Sequence, residues 1–284
     1  MSVRCYAASL CFLCCLLTGP AAAQTTVVGK ITDARSGAPL PFATVTAGRA
    51  GRYTNDDGTY RLTTKTAPDS VTVSLLGYAS RRVAVENGRA DCGLQPVAYR
   101  TPEVTLSGRR KMKKTEFGHP KFSFSAFSGW WGTTVVRHVG RDFTGNGLLS
   151  AVTLRLDVEG NACEVFARVR VVGATPAGPG EDLLRETVVL RLRGGRNRYE
   201  VDLREYELPF PAGGVFVGVE FMRPDESCAG VSTNRSRFYA MTNGKEEAAL
   251  TWQRTGFGRG AWKPFSLPST GWYNNANFGA TVRY

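Results

Sequence analysis

Two histidines, His119 and His138, are all the imidazole in this 284-residue chain. Imidazole is the usual proton carrier near neutral pH and a common metal ligand, so acid–base or zinc chemistry would have to recruit them. A zinc peptidase uses two His and a Glu as ligands, with a further Glu acting on the bound water. His119 is followed by Pro120, His138 sits in a β-like run, and neither has a carboxylate at HxxE or HExxH spacing. No Gly-x-Ser-x-Gly elbow offers a nucleophilic serine. Paired carboxylates for glycoside hydrolysis stay open, because Asp and Glu occur on many segments, but acid, base and nucleophile candidates do not converge. The expectation is a chain that is not an enzyme, with no catalytic residue, no metal ligand and no cofactor.

Asn55-Asp56-Asp57-Gly58 has the composition of a calcium loop but not its spacing. An EF-hand needs a Glu six residues beyond the Gly, where this chain has Thr64, and it needs flanking helices. Turn chemistry accounts for the four residues, with Asp57-Gly58 read as a hairpin turn whose two central positions take positive φ.

Aromatic placement suggests binding. Trp130, Trp131, Trp252, Trp262 and Trp272 all fall in the later part, and the last stretch adds Phe257, Phe265, Tyr273, Phe278 and Tyr284. Aromatic faces with Arg nearby suit a sugar platform, since C–H-rich sugar faces pack on π surfaces while polar edges take hydrogen bonds. Core packing explains the same residues. Arg168, Arg170, Arg191 and Arg193 would share outward faces if their strands pair, forming a basic patch or simply a solvated sheet face. With 36 Lys and Arg against 24 Asp and Glu, the net charge is +12. That field favours an anionic envelope surface, meaning lipid or glycan phosphates, over nucleic acid.

These residues must be positioned by strands. Long apolar helical patterns are absent after the leader, and short alternating runs separated by Gly, Pro, Asn and Asp argue an all-β protein. Residues 1–23 read as a signal peptide: Arg4, an apolar stretch from Leu10 to Leu17, and Ala21-Ala22-Ala23 before Gln24. The stretch is short for a membrane span. Export leaves Cys92, Cys163 and Cys228 of the seven Cys, and an oxidising compartment permits a Cys163–Cys228 bridge without requiring it.

The first module, with its trailing strand, covers residues 24–108. Val28 to Leu40 reads as strand, Asp33-Ser36-Gly37 turn, then Pro39, and Phe42 to Ala47 alternates. Tyr60-Arg61-Leu62, Val71 to Leu75 and Arg82 to Val85 follow, and Asn87-Gly88 is another turn. Gly29, Ile31, Asp33, Gly37, Pro39, Leu40, Ala43 and Val45, then Thr54, Asn55, Asp57, Gly58, Tyr60 and Leu62, then Leu75, Gly77 and Tyr78 resemble the carboxypeptidase regulatory-like domain. The resemblance implies a transthyretin-like sandwich of about seven strands acting as a spacer or accessory module in bacterial envelope proteins. It implies no peptidase activity. In outer-membrane receptors such a domain precedes a plug strand, to which Pro102 to Gly108 is similar, but the long barrel of those receptors is missing.

Arg109 to Lys114 opens a basic linker, residues 109–118. Residues 119–284 read as a second, jelly-roll-like β-sandwich. Its strands place Val152, Leu154, Leu156 and Val158 inward, likewise Val165, Ala167, Val169 and Val171, and Val215, Val217 and Val219. Ala276, Phe278, Ala280, Val282 and Tyr284 also resemble the closing strand of a small outer-membrane barrel. The functional expectation is a non-catalytic exported protein in the periplasm, at the outer membrane or on the surface. It would be a spacer module plus a sandwich that binds a glycan or an envelope protein partner. The alternatives are a structural docking component and the small barrel, and no integral membrane span is expected.

Overall fold

The computed structural model describes residues 24–97, 113–118, 126–129, 131–158, 165–222, 236–240, 248–265, 267–269 and 272–284. The leader, Pro102 to Gly108, the first part of the basic linker, His119, Trp130, Cys163 and Cys228 lie outside them.

Seven strands build the first module: β1 (Thr25–Asp33), β2 (Thr44–Ala47), β3 (Ala50–Tyr53), β4 (Thr59–Thr64), β5 (Ser70–Ser74), β6 (Arg81–Ala84) and β7 (Cys92–Leu94). They form two sheets, ordered β4-β1-β7 and β3-β2-β5-β6, closing over Ile31, Val45, Leu62, Val71, Val73 and Leu94. The quoted motif blocks meet in space. Asp33 Oδ1 accepts the amides of Arg35 and Ser36 at 2.7 and 2.9 Å, forming the side-chain-stabilised turn. The Tyr78 hydroxyl donates to the other Asp33 oxygen at 2.9 Å. The Ile31 amide donates to the Gly58 carbonyl, also at 2.9 Å. Thr54 bridges two chain segments, donating to the Leu40 carbonyl and accepting the Ala43 amide.

The Asn55–Gly58 turn differs from expectation. Only Gly58 has positive φ there, at 77°, and its amide donates to the Asn55 carbonyl. The loop carries the chain from the β3 sheet to the β4 sheet, so it is a corner between layers and not a hairpin within one. Asp57 Oδ1 is occupied by the amide and hydroxyl of Thr59. The double positive-φ turn occurs instead at Asn87-Gly88, with φ of 51° and 75°.

The second module contains β8 (Lys114–Phe117), β9 (Ala126–Gly129), β10 (Thr134–Val139), β11 (Gly147–Val158), β12 (Val165–Thr175), β13 (Gly178–Asp182), β14 (Val189–Leu192), β15 (Gly195–Asp202) and β16 (Pro209–Phe210). It continues with β17 (Val215–Met222), β18 (Ser236–Ala240), β19 (Thr251–Arg254), β20 (Lys263–Pro264), β21 (Leu267–Ser269), β22 (Trp272–Asn274) and β23 (Phe278–Arg283). One sheet runs β13-β12-β17-β10-β19-β20, with β14 also on β12, and the facing sheet runs β15-β11-β23-β8. With every pairing antiparallel, β8-β23-β11-β15 against β10-β17-β12-β14 is the strand order of a jelly roll. Its core holds the inward rows expected from the alternation, including Leu154, Val169, Val217 and Phe278. Ala276, Phe278, Ala280 and Val282 point into that core between two open sheets, whereas a membrane barrel would turn its apolar band to lipid.

One boundary moves. Lys114–Phe117 lies within the expected linker, yet it is the edge strand of the second module, paired with β23 from Ala280↔Phe117 to Arg283↔Lys114. Phe117 stacks on Phe210 at 5.4 Å between ring centroids, which draws the segment onto the core.

Candidate functional site

The most unusual chemistry lies where the modules meet. On the outer side of β12 and β17, away from the second core, Arg168, Arg170 and Glu220 project toward the first module. They are buried there, Arg168 and Glu220 each 2% exposed. Glu220 accepts from Arg168 Nη1 at 3.0 Å, from Arg170 Nη1 at 2.9 Å, and from the Tyr53 hydroxyl of β3 at 2.8 Å. Arg170 also forks onto Asp182, with Nε to Oδ1 at 2.9 Å and Nη2 to Oδ2 at 2.5 Å. Arg168 Nη2 donates to the Phe42 carbonyl of the first module. Two guanidiniums thus face two carboxylates in a quartet, buried except at the part-exposed Asp182, that is tied to the neighbouring module by two hydrogen bonds. Arg168 Nε has no partner among the described residues, and the Arg254 charge lies close enough to act on both carboxylates.

Burial pushes the Glu220 carboxyl up. The Arg168 and Arg170 charges and the Tyr53 hydroxyl outweigh it and hold the group below its ordinary value of 4.5. Burial, followed by the Glu220 charge, raises the Tyr53 phenol well above 10, so it stays protonated and donates.

Around the quartet, aromatic side chains close the boundary. Phe42 meets Phe166 at 5.3 Å and Tyr53 meets Phe257 at 5.4 Å. Both Phe42 and Phe257 sit at φ of 58°, an outlier for a bulky residue. The Phe257 ring covers Gly51 of β3 so closely that a Cβ there would lie 2.2 Å from it, so only glycine fits.

The proposed basic patch therefore does not form. Arg168 and Arg170 are not on a solvated face, because the first module covers that face, while Arg191 and Arg193 are exposed at the end of β14. Nor do the three Trp side chains among the described residues converge on one platform. Trp131 packs against the second core, whereas Trp252 and Trp262 share a small outer cluster with Val136, Val172 and Phe216. The Trp262 ring carries the Arg254 guanidinium at 4.4 Å, and Trp252 lies edge-on to Phe216 with its ring end against Gly178. The Trp272 backbone lies in β22, and its side chain falls outside the described set.

His138 is structural. It stacks on Phe216 at 4.6 Å, and its Nε2 donates to the Gly213 carbonyl at 2.8 Å. Burial is the main cause that lowers its pKa below 6.5, which keeps it neutral. Cys92 is a buried free thiol, raised by burial. Among the described residues no His, Cys, Asp or Glu group has the makings of a metal site.

The sequence reading missed Glu220, Asp182, Tyr53 and Phe42 as site residues, and offered Phe257 only as one of the aromatic residues of a sugar platform. A signal was present: the outward positions of β17 are Phe216, Gly218, Glu220 and Met222, too apolar for a wet face.

Beside this boundary lies a cavity of about 1070 Å³. The Leu40–Phe42, Leu75–Tyr78 and Pro96–Val97 segments of the first module form one wall, and the segments around Leu183–Thr187 and Glu205–Pro209 form the other. The two walls touch where Gly77 abuts the Arg185 carbonyl; a Cβ there would lie 2.7 Å from its oxygen.

The first module is a non-catalytic kind of domain by comparison: residues 26–93 match the carboxypeptidase regulatory-like domain family. That match covers the first sandwich and leaves the jelly roll unassigned. No curated protein matches the chain. Solved structures with some likeness are particles of infectious bursal disease virus. The T13 particle has 10% identity and a TM-score of 0.27, covering 92% of this chain and 62% of that one. The Gx strain has 11% identity, a TM-score of 0.27 and coverages of 92% and 64%. This chain spans less than two thirds of either, and likeness at that level carries no argument.

Proposed function

We propose that this chain is a non-catalytic exported protein of a bacterial cell envelope. In this reading the regulatory-like module is fixed rigidly to a jelly roll, and the pair acts as a scaffold that holds a partner. The observation supporting it is the buried Arg168–Arg170–Glu220 cluster, with part-exposed Asp182 at its edge and its Tyr53 bond. Desolvated ion pairs are costly unless fully partnered, and truncating one partner costs about 3–5 kcal/mol. Such a junction suits a fixed spacer better than two beads on a string. Pull-down from envelope extracts at low and high salt tests the scaffold. Retention of a specific envelope protein supports it, and none at either salt counts against it. Cell fractionation tests export separately.

A second reading, glycan binding, draws on Trp252, Trp262 and Arg254, half-buried together on the outer side of the β10–β17–β19 sheet. One Trp262 face is already taken by Arg254, so a sugar would use the remaining edges. A glycan array with wild type and the Trp252→Ala/Trp262→Ala variant decides it, and silence across envelope and dietary polysaccharides ends the branch.

A further inference from the structure

The inter-module cavity has two walls of different chemistry. The first-module wall presents Leu40, Pro41, Phe42, Leu76, Pro96 and Val97. Val97, 37% exposed, is one of only two large hydrophobic residues exposed among the described residues. The second-module wall presents Glu186, Glu205 and Glu207, all exposed and none in an ion pair with another described residue. Arg185 beside them already approaches Glu181 at 3.8 Å. Glu205 accepts a hydrogen bond from the Tyr206 hydroxyl, which leaves its charge in place, and three carboxylates on a chain of net charge +12 make this a locally acidic cleft on a basic protein. Strain concentrates here too. Of the four non-glycine residues with positive φ among the described residues, Phe42 at 58° and Glu207 at 46° both line the cleft. Residues held in such conformations tend to cluster at clamps and binding sites.

We propose that this cleft binds an extended segment of a partner protein in which basic and apolar residues alternate. The inference rests on the scaffold reading above and names the partner's chemistry. An extended chain points successive side chains to opposite sides. Lying along the cleft, it would set its apolar residues on the Leu40–Val97 wall and its Lys or Arg residues on the carboxylates of Glu186, Glu205 and Glu207. The volume of about 1070 Å³, just above the ~300–1,000 Å³ typical of small-molecule sites, suits several residues of a peptide. An anionic ligand would meet like charge.

The test uses the mature full-length chain and a fluorescein-labelled eight-residue peptide alternating Lys with Leu, followed by anisotropy at low salt. Saturable binding is expected, weakened about five- to tenfold in the Glu205→Gln/Glu207→Gln variant, as two exposed ion pairs would give. Both positions are exposed, so the variant should melt like wild type. A matching peptide with Glu for Lys should not bind, and a Lys-only peptide should bind less well. Absence of saturable binding, equal binding of the Glu peptide, or unchanged affinity in the variant overturns the assignment. If the variant still retains an envelope protein in the pull-down while the peptide fails, the scaffold stands and the cleft assignment falls.

Discussion

Glu220 carries three donors at once, and removing it leaves Arg170 with Asp182 and the buried Arg168 with only the Phe42 carbonyl. Glu220→Ala should therefore lower unfolding free energy by about 3–5 kcal/mol in urea melts. Tyr53→Phe removes one bond to a charged acceptor and should cost about 1.5–3 kcal/mol, less than the charge deletion. The pH dependence follows from the same carboxylate. Its folded pKa lies below 4.5, so its contribution is full above that value and is lost as pH falls through the lower folded value. His138, buried neutral, acts in the same direction from higher pH. Its folded pKa lies below 6.5, so the unfolded chain binds the extra proton first and stability declines as pH drops below 6.5. Thermal midpoints should be level above neutrality and fall steadily toward pH 4. A rise in midpoint on acidification would contradict both assignments.

At the scale of elements, two strands and a loop decide the arrangement. β8 ends the jelly-roll sheet by covering β23. A chain beginning at residue 119 should expose that edge and self-associate, whereas one beginning at residue 113 should stay monomeric in size-exclusion chromatography. The Phe257 loop acts as a knob seated on Gly51. Gly51→Ala would force the ring aside, with a destabilisation of about 1–3 kcal/mol and faster proteolysis at the module boundary. Some of this was readable from residue order. Asp33, Gly37, Gly58 and Tyr78 carry local turn chemistry, and each forms a turn or tether in the first module. The corner at Asn55–Gly58 was misread as a hairpin because turn residues specify a reversal, not which sheet receives the next strand. The β8 strand was read as linker because a basic run looks solvated, and its long-range partner, β23, lies far away in sequence.

For the molecule as a whole, the docked boundary means the two sandwiches should unfold together. Calorimetry of the wild type should give one transition, and Glu220→Ala should split or broaden it as the modules uncouple. Two well-separated transitions in the wild type would argue against a rigid junction. Alternation along β12 and β17 was enough to assign Val169, Val171, Val217 and Val219 to one face and Arg168, Arg170 and Glu220 to the other. A period of two says which side of a sheet a residue occupies, but carries no information about what lies over that side. Water would have made those arginines a basic patch. The first module, arriving from more than a hundred residues away in sequence, made them a buried ionic joint. Strand content and turn positions were local properties, and the seven-strand first sandwich was implied by the family resemblance. Which polar face stayed wet depended on contacts between distant segments, because desolvation is set by the packed neighbours and not by the residue itself.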